Sequence, residues 1–133
     1  MAKVLVSDDE LSIRSLLSAV LRQKGYDVVL AENGRKGLEP FHQERPDVTV
    51  LDLIMPEMDG MAVLQSIRCV DLNQPVIIFT GAWTPEKERQ VHALGATECV
   101  EKAVSLGRLE EALKRALKTL EAASFPRAEE VQK

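Results

Sequence analysis

The sequence has little cysteine, no excess of basic residues and no long apolar run. Its two cysteines, Cys69 and Cys99, form no C-x-x-C pair and no metal-ligand spacing with His42 or His92. We therefore interpret them as reduced thiols of a cytoplasmic protein and the two histidines as surface residues. A net charge of −4 and a pI near 5.3 argue against binding nucleic acid through general electrostatics.

Membrane insertion and secretion are not indicated either. No apolar stretch is long enough to span a bilayer, and the first ten residues, MAKVLVSDDE, lack the apolar core of a signal peptide. The sequence therefore predicts no contact with membranes. Its 133 residues, 45% hydrophobic and 29% charged, fit one globular domain with a buried core.

Short apolar runs alternate with amphipathic stretches along the whole chain. Strands are predicted at 4–6, 27–31, 48–52, 76–79 and 98–100, and helices at 10–24, 34–45, 60–69, 85–95 and 105–123. The first, third and fourth strands are almost wholly apolar, as expected when helices cover both faces of a sheet. The pattern predicts an α/β fold with a parallel sheet over residues 1–123, followed by a tail or linker at 124–133.

Two helices raise specific expectations. In the first, five apolar residues lie on or near one face: Leu11, Leu16, Leu17, Val20 and Leu21. The second contains Pro40, which removes a backbone donor and clashes one turn back at a cost of about 3 kcal/mol. We therefore predict that the second helix is kinked, short or late-starting, and among the less stable parts of the fold.

The predicted strands end in polar side chains. Asp8 and Asp9 follow the first strand, Asp52 the third, Thr80 the fourth and Lys102 the fifth. Ligands of open parallel sheets bind at the carboxyl ends of the strands. Taken alone, a strand-end aspartate such as Asp52 is consistent with a simple cap in water, but the five residues together predict a site.

This set of side chains suits phosphoryl chemistry. Three close carboxylates repel each other and raise each other's pKa unless a cation lies between them, and Mg²⁺ prefers such oxygen ligands. The Asp52 carboxylate could then attack phosphorus and form an acyl phosphate. Thr80 and Lys102 could bind the remaining phosphoryl oxygens, while the small residues Gly81 and Ala82 would leave space for them.

Four stretches carry a resemblance to a known family: VLVSDDE (4–10), VLDLIMPEMDG (50–60), VIIFTGA (76–82) and LGATECVEK (94–102). Through them the chain resembles the CheY-like receiver domain of bacterial two-component response regulators over nearly its whole length. The resemblance implies a flavodoxin-like (βα)5 fold with strand order 2-1-3-4-5 in a single domain.

The resemblance also implies roles for individual residues. Asp52 would be phosphorylated by a histidine kinase or a phosphotransfer protein, and Thr80 and Lys102 would contact the phosphoryl group. Mg²⁺ would be held by three aspartates and one backbone carbonyl: Asp8, Asp9, Asp52 and Ile54. The face formed by the fourth helix, fifth strand and fifth helix would signal to an output partner or domain. A homodimer that depends on phosphorylation could also form. Such a domain is not an enzyme beyond self-phosphorylation from small donors and self-dephosphorylation.

Two positions depart from the family pattern. Ala103 stands where the family usually has a proline in a cis peptide bond, and a non-proline cis bond costs about 2.5–4 kcal/mol, so a trans and differently shaped loop is expected. Cys99 stands where the family has Tyr or Phe. We interpret Cys99 as a small, partly buried residue, with a redox sensor as the alternative. Trp83 is expected to cover the fourth helix, with a partner contact as the alternative.

Alternative functions remain at this point. A degenerate receiver would bind a protein partner without phosphate, which Ala103 and Cys99 favour. A haloacid-dehalogenase-like phosphohydrolase would need an acid two residues after the nucleophile, where this chain has Ile54. The sequence also leaves open whether the chain is a stand-alone receiver or the N-terminal part of a longer regulator, such as a transcription factor.

Overall fold

The computed structural model describes residues 2–53, 60–81, 83–102 and 106–118. The strands are β1 (Lys3–Ser7), β2 (Asp27–Ala31), β3 (Val48–Leu51), β4 (Val76–Thr80) and β5 (Glu98–Glu101). The helices are α1 (Leu11–Gln23), α2 (Gly34–Glu44), α3 (Gly60–Val70), α4 (Pro85–Ala93) and α5, whose described part covers residues 106–118. The predicted alternation of strands and helices is confirmed.

All five strands run parallel in the order β2-β1-β3-β4-β5, as the sequence predicts. In the central pair Ser7 is level with Leu51, and on the other side Thr80 is level with Glu101. The residues that directly follow β1 and β3 therefore emerge side by side at the carboxyl edge of the sheet. This register brings Asp8 and Asp52 together.

The core has two layers, one on each face of the sheet. Val4 and Val6 belong to the cluster that packs against α1 and α5, whereas Leu5 between them belongs to the cluster that packs against α2, α3 and α4. Successive strand side chains point to opposite faces, so an apolar run of this kind is buried on both sides. β3 and β4 are buried along their whole length, and they form a rigid base for the site.

The apolar face of α1 is narrower than the sequence suggests. Leu17 and Leu21 are buried, but Leu11 is 68% exposed and Leu16 is 45% exposed. Each residue advances by about 100° around a helix, so Leu16 turns away from the direction taken by Leu17. Leu11 and Leu16 therefore lie outside the buried part of the predicted apolar face.

Of the three outcomes predicted for α2, namely a kink, a short helix or a late start, the structure shows neither a late start nor a marked shortening. The helix begins at Gly34, directly after its cap Asn33, and runs through Pro40 to Glu44. The Asn33 side chain accepts the backbone N–H of Lys36 at 2.9 Å, and Phe41 is buried in the core. Capping and tertiary packing thus outweigh the local cost of the proline. A kink and a low local stability remain predictions.

The C-terminal boundary falls outside the described residues. The end of the domain at 123 and the tail at 124–133 therefore stay predictions. Within the described parts of the chain, no helix combines the length and the apolar character that a membrane crossing requires.

Candidate functional site

Two buried carboxylates mark the carboxyl edge of the sheet. Asp8 directly follows β1 and is 2% exposed, and Asp52 directly follows β3 and is 5% exposed. The backbone N–H of Asp8 donates to the Ala31 carbonyl at 3.1 Å, and that of Asp52 donates to the Ser7 carbonyl at 3.0 Å. Sheet-like hydrogen bonds therefore continue one residue past each strand and fix both aspartates.

Four acidic side chains meet at this edge. One carboxylate oxygen from each of Asp8, Asp9, Glu10 and Asp52 lies within 4.8 Å of the others. Three of these residues are predicted from the sequence, whereas Glu10 was missed, although it directly follows the aspartate pair. The Asp8 carboxylate accepts the backbone N–H of Glu10 at 2.9 Å, which turns the chain and keeps Glu10 beside the cluster. Such a set of oxygen donors could hold a metal ion.

Lys102 is the cation of the cluster. Its Nζ lies 2.8 Å from Glu10 Oε1, 2.9 Å from Asp8 Oδ2 and 3.0 Å from Asp52 Oδ2. An ammonium group has three donors, so each donor of Lys102 has a carboxylate partner. The side chain is only 11% exposed, and its charge offsets part of the negative charge that the sheet edge concentrates.

The local environment shifts the pKa values of Asp8 and Lys102. Burial raises the pKa of the Asp8 carboxyl above its usual range, although the Glu10 N–H and the Lys102 ammonium both act to lower it. For Lys102, burial acts to lower the pKa, but the hydrogen bonds to Glu10, Asp8 and Asp52 outweigh burial and raise it. Lys102 therefore stays charged at neutral pH.

Thr80 and Gly81 lie next to this cluster along the sheet edge. Thr80 is the last residue of β4 and is fully buried, and its carbonyl accepts the Lys102 N–H at 3.0 Å. A Cβ placed on Gly81 would lie 3.9 Å from Lys102 Cδ, an ordinary contact. The fold therefore brings Thr80, Gly81 and Lys102 together. The predicted roles of Ile54, Ala82 and Ala103 fall outside the described residues.

Gly60 is a second site residue that the sequence did not single out. A Cβ on Gly60 would lie 2.2 Å from the Asp52 carbonyl oxygen and 2.7 Å from Leu53 Cα. Its N–H also donates to the Leu53 carbonyl at 2.8 Å. The first residue of α3 therefore presses directly on the backbone that carries Asp52, and glycine is the only residue type that leaves room for this contact.

Cys99 and Trp83, for which the sequence leaves two alternative roles each, are both partly buried. Cys99 is a free thiol in β5, and Trp83 packs against the core cluster on the side of the sheet that α2, α3 and α4 cover. That Trp83 covers α4 itself stays a prediction. The Cys99 Sγ lies 3.8 Å from His92 Nε2. Burial, followed by the charges of Glu88 and Glu98, raises the pKa of the Cys99 thiol to about 11. This environment favours an inert cysteine over a redox sensor.

Alkylation should distinguish the two cysteines. With iodoacetamide at pH 8 we expect exposed Cys69 to react at least about tenfold faster than Cys99, because only a small fraction of the Cys99 thiol is ionised. Peptide mass spectrometry over time measures both rates in one sample, and Cys69→Ser serves as the control. Equal rates would instead support the redox-sensor alternative.

Comparison with known proteins agrees with the fold and identifies a family. The family model of the response regulator receiver domain matches residues 4–114. A probable transcriptional regulator, ycf27 of Guillardia theta, is 41% identical over 92% of this chain and 48% of its own length. Sporulation initiation phosphotransferase F of Bacillus subtilis is 34% identical over 86% of this chain and 93% of its own.

A solved structure shows the same similarity in three dimensions. Chemotaxis protein CheY4 of Vibrio cholerae has a TM-score of 0.83 at 35% identity, covering 88% of this chain and 99% of that chain. The present chain spans about half the length of the ycf27 relatives that it matches. The sequence-based resemblance and the predicted flavodoxin-like topology are confirmed, and the chain belongs to the response regulator receiver domain family, as a receiver domain of two-component signal transduction.

Proposed function

We propose that Asp52 accepts a phosphoryl group in a Mg²⁺-dependent reaction and that this modification switches an output surface. The observation that carries the proposal is the position of Asp52: a buried strand-end carboxylate, 3.0 Å from the Lys102 ammonium, inside a cluster of four acids. Family membership adds that the upstream partner of a receiver domain is a histidine kinase or another phosphodonor. For this chain we propose a histidine kinase or a phosphotransfer protein.

The donor set fits the metal. Asp8, Asp9 and Asp52 offer hard carboxylate oxygens close together, and the Ile54 carbonyl is proposed as a further ligand. Bound Mg²⁺ would offset negative charge on the phosphoryl oxygens. The protein itself supplies the nucleophile: a carboxylate oxygen of Asp52 forms the bond to phosphorus while the bond from phosphorus to the donor's leaving group breaks.

Lys102 and Thr80 would detect the result. Phosphorylation replaces the Asp52 carboxylate with a group that carries more acceptor oxygens and more negative charge. The two residues already share a backbone hydrogen bond of 3.0 Å between the Lys102 N–H and the Thr80 carbonyl. A movement of one residue toward the phosphoryl group would therefore shift the other. Gly81 and Ala82 would leave space for the phosphoryl oxygens. The phosphate would thereby bias an equilibrium between two loop arrangements.

The output surface is proposed to be the face formed by α4, β5 and α5. A cavity of about 530 Å³ lies there, lined by residues that include Trp83, Cys99 and Arg108. Two of its lining residues, Trp83 and Cys99, lie three positions after Thr80 and three positions before Lys102. We therefore expect changes at the site to alter the cavity. The occupant would be an output partner, an output domain or a second copy of the chain in a phosphorylation-dependent homodimer.

The relatives suggest two kinds of output. The chain covers about half of the ycf27 transcriptional regulators but 93% of the sporulation phosphotransferase. Control of transcription through a further domain, and transfer of phosphate along a relay, are therefore both proposed outputs. A cytoplasmic location stays a prediction.

The first experiment is intact mass spectrometry after incubation with Mg²⁺ and acetyl phosphate. We expect the wild type and Asp27→Asn, a change at an exposed aspartate at the start of β2, to gain one phosphoryl mass. Asp52→Asn should gain none, and chelation of Mg²⁺ should prevent the gain in all samples. A folded wild type that gains no mass with acetyl phosphate or another small phosphodonor would contradict the proposal and favour a phosphate-independent binding module.

A further inference from the structure

Lys102 contacts three carboxylates that differ in their surroundings. Asp8 and Asp52 are buried strand-end residues, whereas Glu10 lies in the loop before α1 with its side chain 53% exposed. Both aspartates are among the proposed metal ligands. Glu10 has no part in the proposed chemistry, yet its contact with Lys102, at 2.8 Å, is the shortest of the three.

Lys102 and a metal ion compete for the same atoms. The ammonium occupies the space next to Asp8 Oδ2 at 2.9 Å and Asp52 Oδ2 at 3.0 Å. A divalent ion that takes these oxygens also repels the ammonium, which weakens the contacts of Lys102 with both aspartates. Lys102 would then be a largely buried cation with weakened partners, and another anion close by would stabilise it at the site.

Glu10 is placed to provide that anion. Its backbone is fixed, because its N–H donates to Asp8 Oδ1 at 2.9 Å and its carbonyl accepts the Arg14 N–H at 3.0 Å. Its side chain reaches Lys102 from the solvent side, away from the buried ends of the strands. A fixed backbone with an exposed carboxylate can follow the ammonium over a short distance without disturbing the sheet edge.

We propose that Glu10 is a positioning residue: it keeps Lys102 at the site when the metal binds Asp8 and Asp52, so that the ammonium stays within reach of the incoming phosphoryl group. This inference rests on the proposed function of Asp52. The competing role for Glu10 is that of a metal ligand, since its carboxylate lies in the same acidic cluster.

The first test needs no phosphodonor. NMR of the lysine side-chain ammonium groups reports whether Lys102 is hydrogen-bonded and protected from exchange with water. We expect the Lys102 signal to survive saturation with Mg²⁺ in the wild type and in Glu101→Gln, a charge-matched change at the neighbouring exposed acid. In Glu10→Gln the signal should be present without metal and lost with it. Loss in the wild type, or survival in Glu10→Gln, would overturn the proposal.

The second test is a double-mutant cycle on the rate of phosphorylation by acetyl phosphate at saturating Mg²⁺. Glu10→Gln should lower the rate about tenfold while the Mg²⁺ concentration for half-saturation changes little. If Glu10 acts through Lys102, Glu10→Gln combined with Lys102→Met should be no slower than Lys102→Met alone. If the two substitutions instead lower the phosphorylation rate by factors that multiply, Glu10 acts elsewhere and the positioning role is refuted.

The two tests separate the possible failures. An effect of Glu10→Gln that is confined to the half-saturating Mg²⁺ concentration would identify Glu10 as a metal ligand and reject this inference. A wild type that is never phosphorylated would reject the proposed function of Asp52. In that case the NMR result still decides whether Glu10 retains Lys102 when the metal binds.

Discussion

Gly60→Ala is expected to lower the free energy of unfolding by about 3 kcal/mol or more and to abolish phosphorylation of Asp52. The new Cβ would lie 2.2 Å from the Asp52 carbonyl oxygen and 2.7 Å from Leu53 Cα. Both are backbone atoms at the end of a central strand, and neither can move aside by rotating a side chain. Relief of the clash must shift either the start of α3 or the segment that carries Asp52.

Urea unfolding followed by tryptophan fluorescence measures the loss of stability, and intact mass spectrometry measures phosphorylation. Gly81→Ala is the matched control for stability, because its Cβ would meet Lys102 Cδ at 3.9 Å and Lys102 Cβ at 4.0 Å, both ordinary contacts. We expect that control to lie within about 0.5 kcal/mol of the wild type. A Gly60→Ala protein as stable as the wild type would show that the contact with Asp52 is not tight.

The second large effect is expected for Lys102→Met. In the absence of metal we expect the free energy of unfolding to fall by about 3 kcal/mol, because the change leaves Asp8 and Asp52 buried without their cation. Mg²⁺ should restore more stability to this variant than it adds to the wild type, since the ion replaces the missing charge and binds only the folded state.

The pH dependence of Lys102→Met follows from Asp8. Burial already raises the Asp8 pKa, and the change removes the lysine hydrogen bond that lowers it. A carboxyl whose pKa is higher in the folded than in the unfolded state destabilises the protein above that folded-state pKa. This cost decreases as the pH falls through the folded-state pKa and is gone below the unfolded-state pKa. The gap between variant and wild type should therefore narrow as the pH is lowered from neutrality.

Urea unfolding with chelator and with Mg²⁺, at several pH values, tests these expectations. Lys114→Met is the matched control, because Lys114 forms an exposed ion pair with Glu110 and such pairs contribute less than about 1 kcal/mol. If Lys102→Met matched the wild type in chelator, the acidic cluster would not depend on Lys102 for its charge balance.

The sequence by itself determined the order of strands and helices and five of the residues at the site. Short apolar runs and amphipathic stretches are local patterns, and parallel strands bring their carboxyl ends to one edge. Asp8, Asp9, Asp52, Thr80 and Lys102 could therefore be placed together from residue types and spacing alone.

Only the tertiary structure decided the remaining features, because each depends on atoms far apart along the chain. Glu10 and Lys102 are separated by 92 positions, and no local pattern reveals which acid an ammonium will contact. The need for glycine at position 60 arises from the Asp52 carbonyl, and the persistence of α2 past Pro40 from burial of Phe41. Residue types and spacing gave the chemistry of the site, whereas packing decided which groups hold its nucleophile and its cation in place.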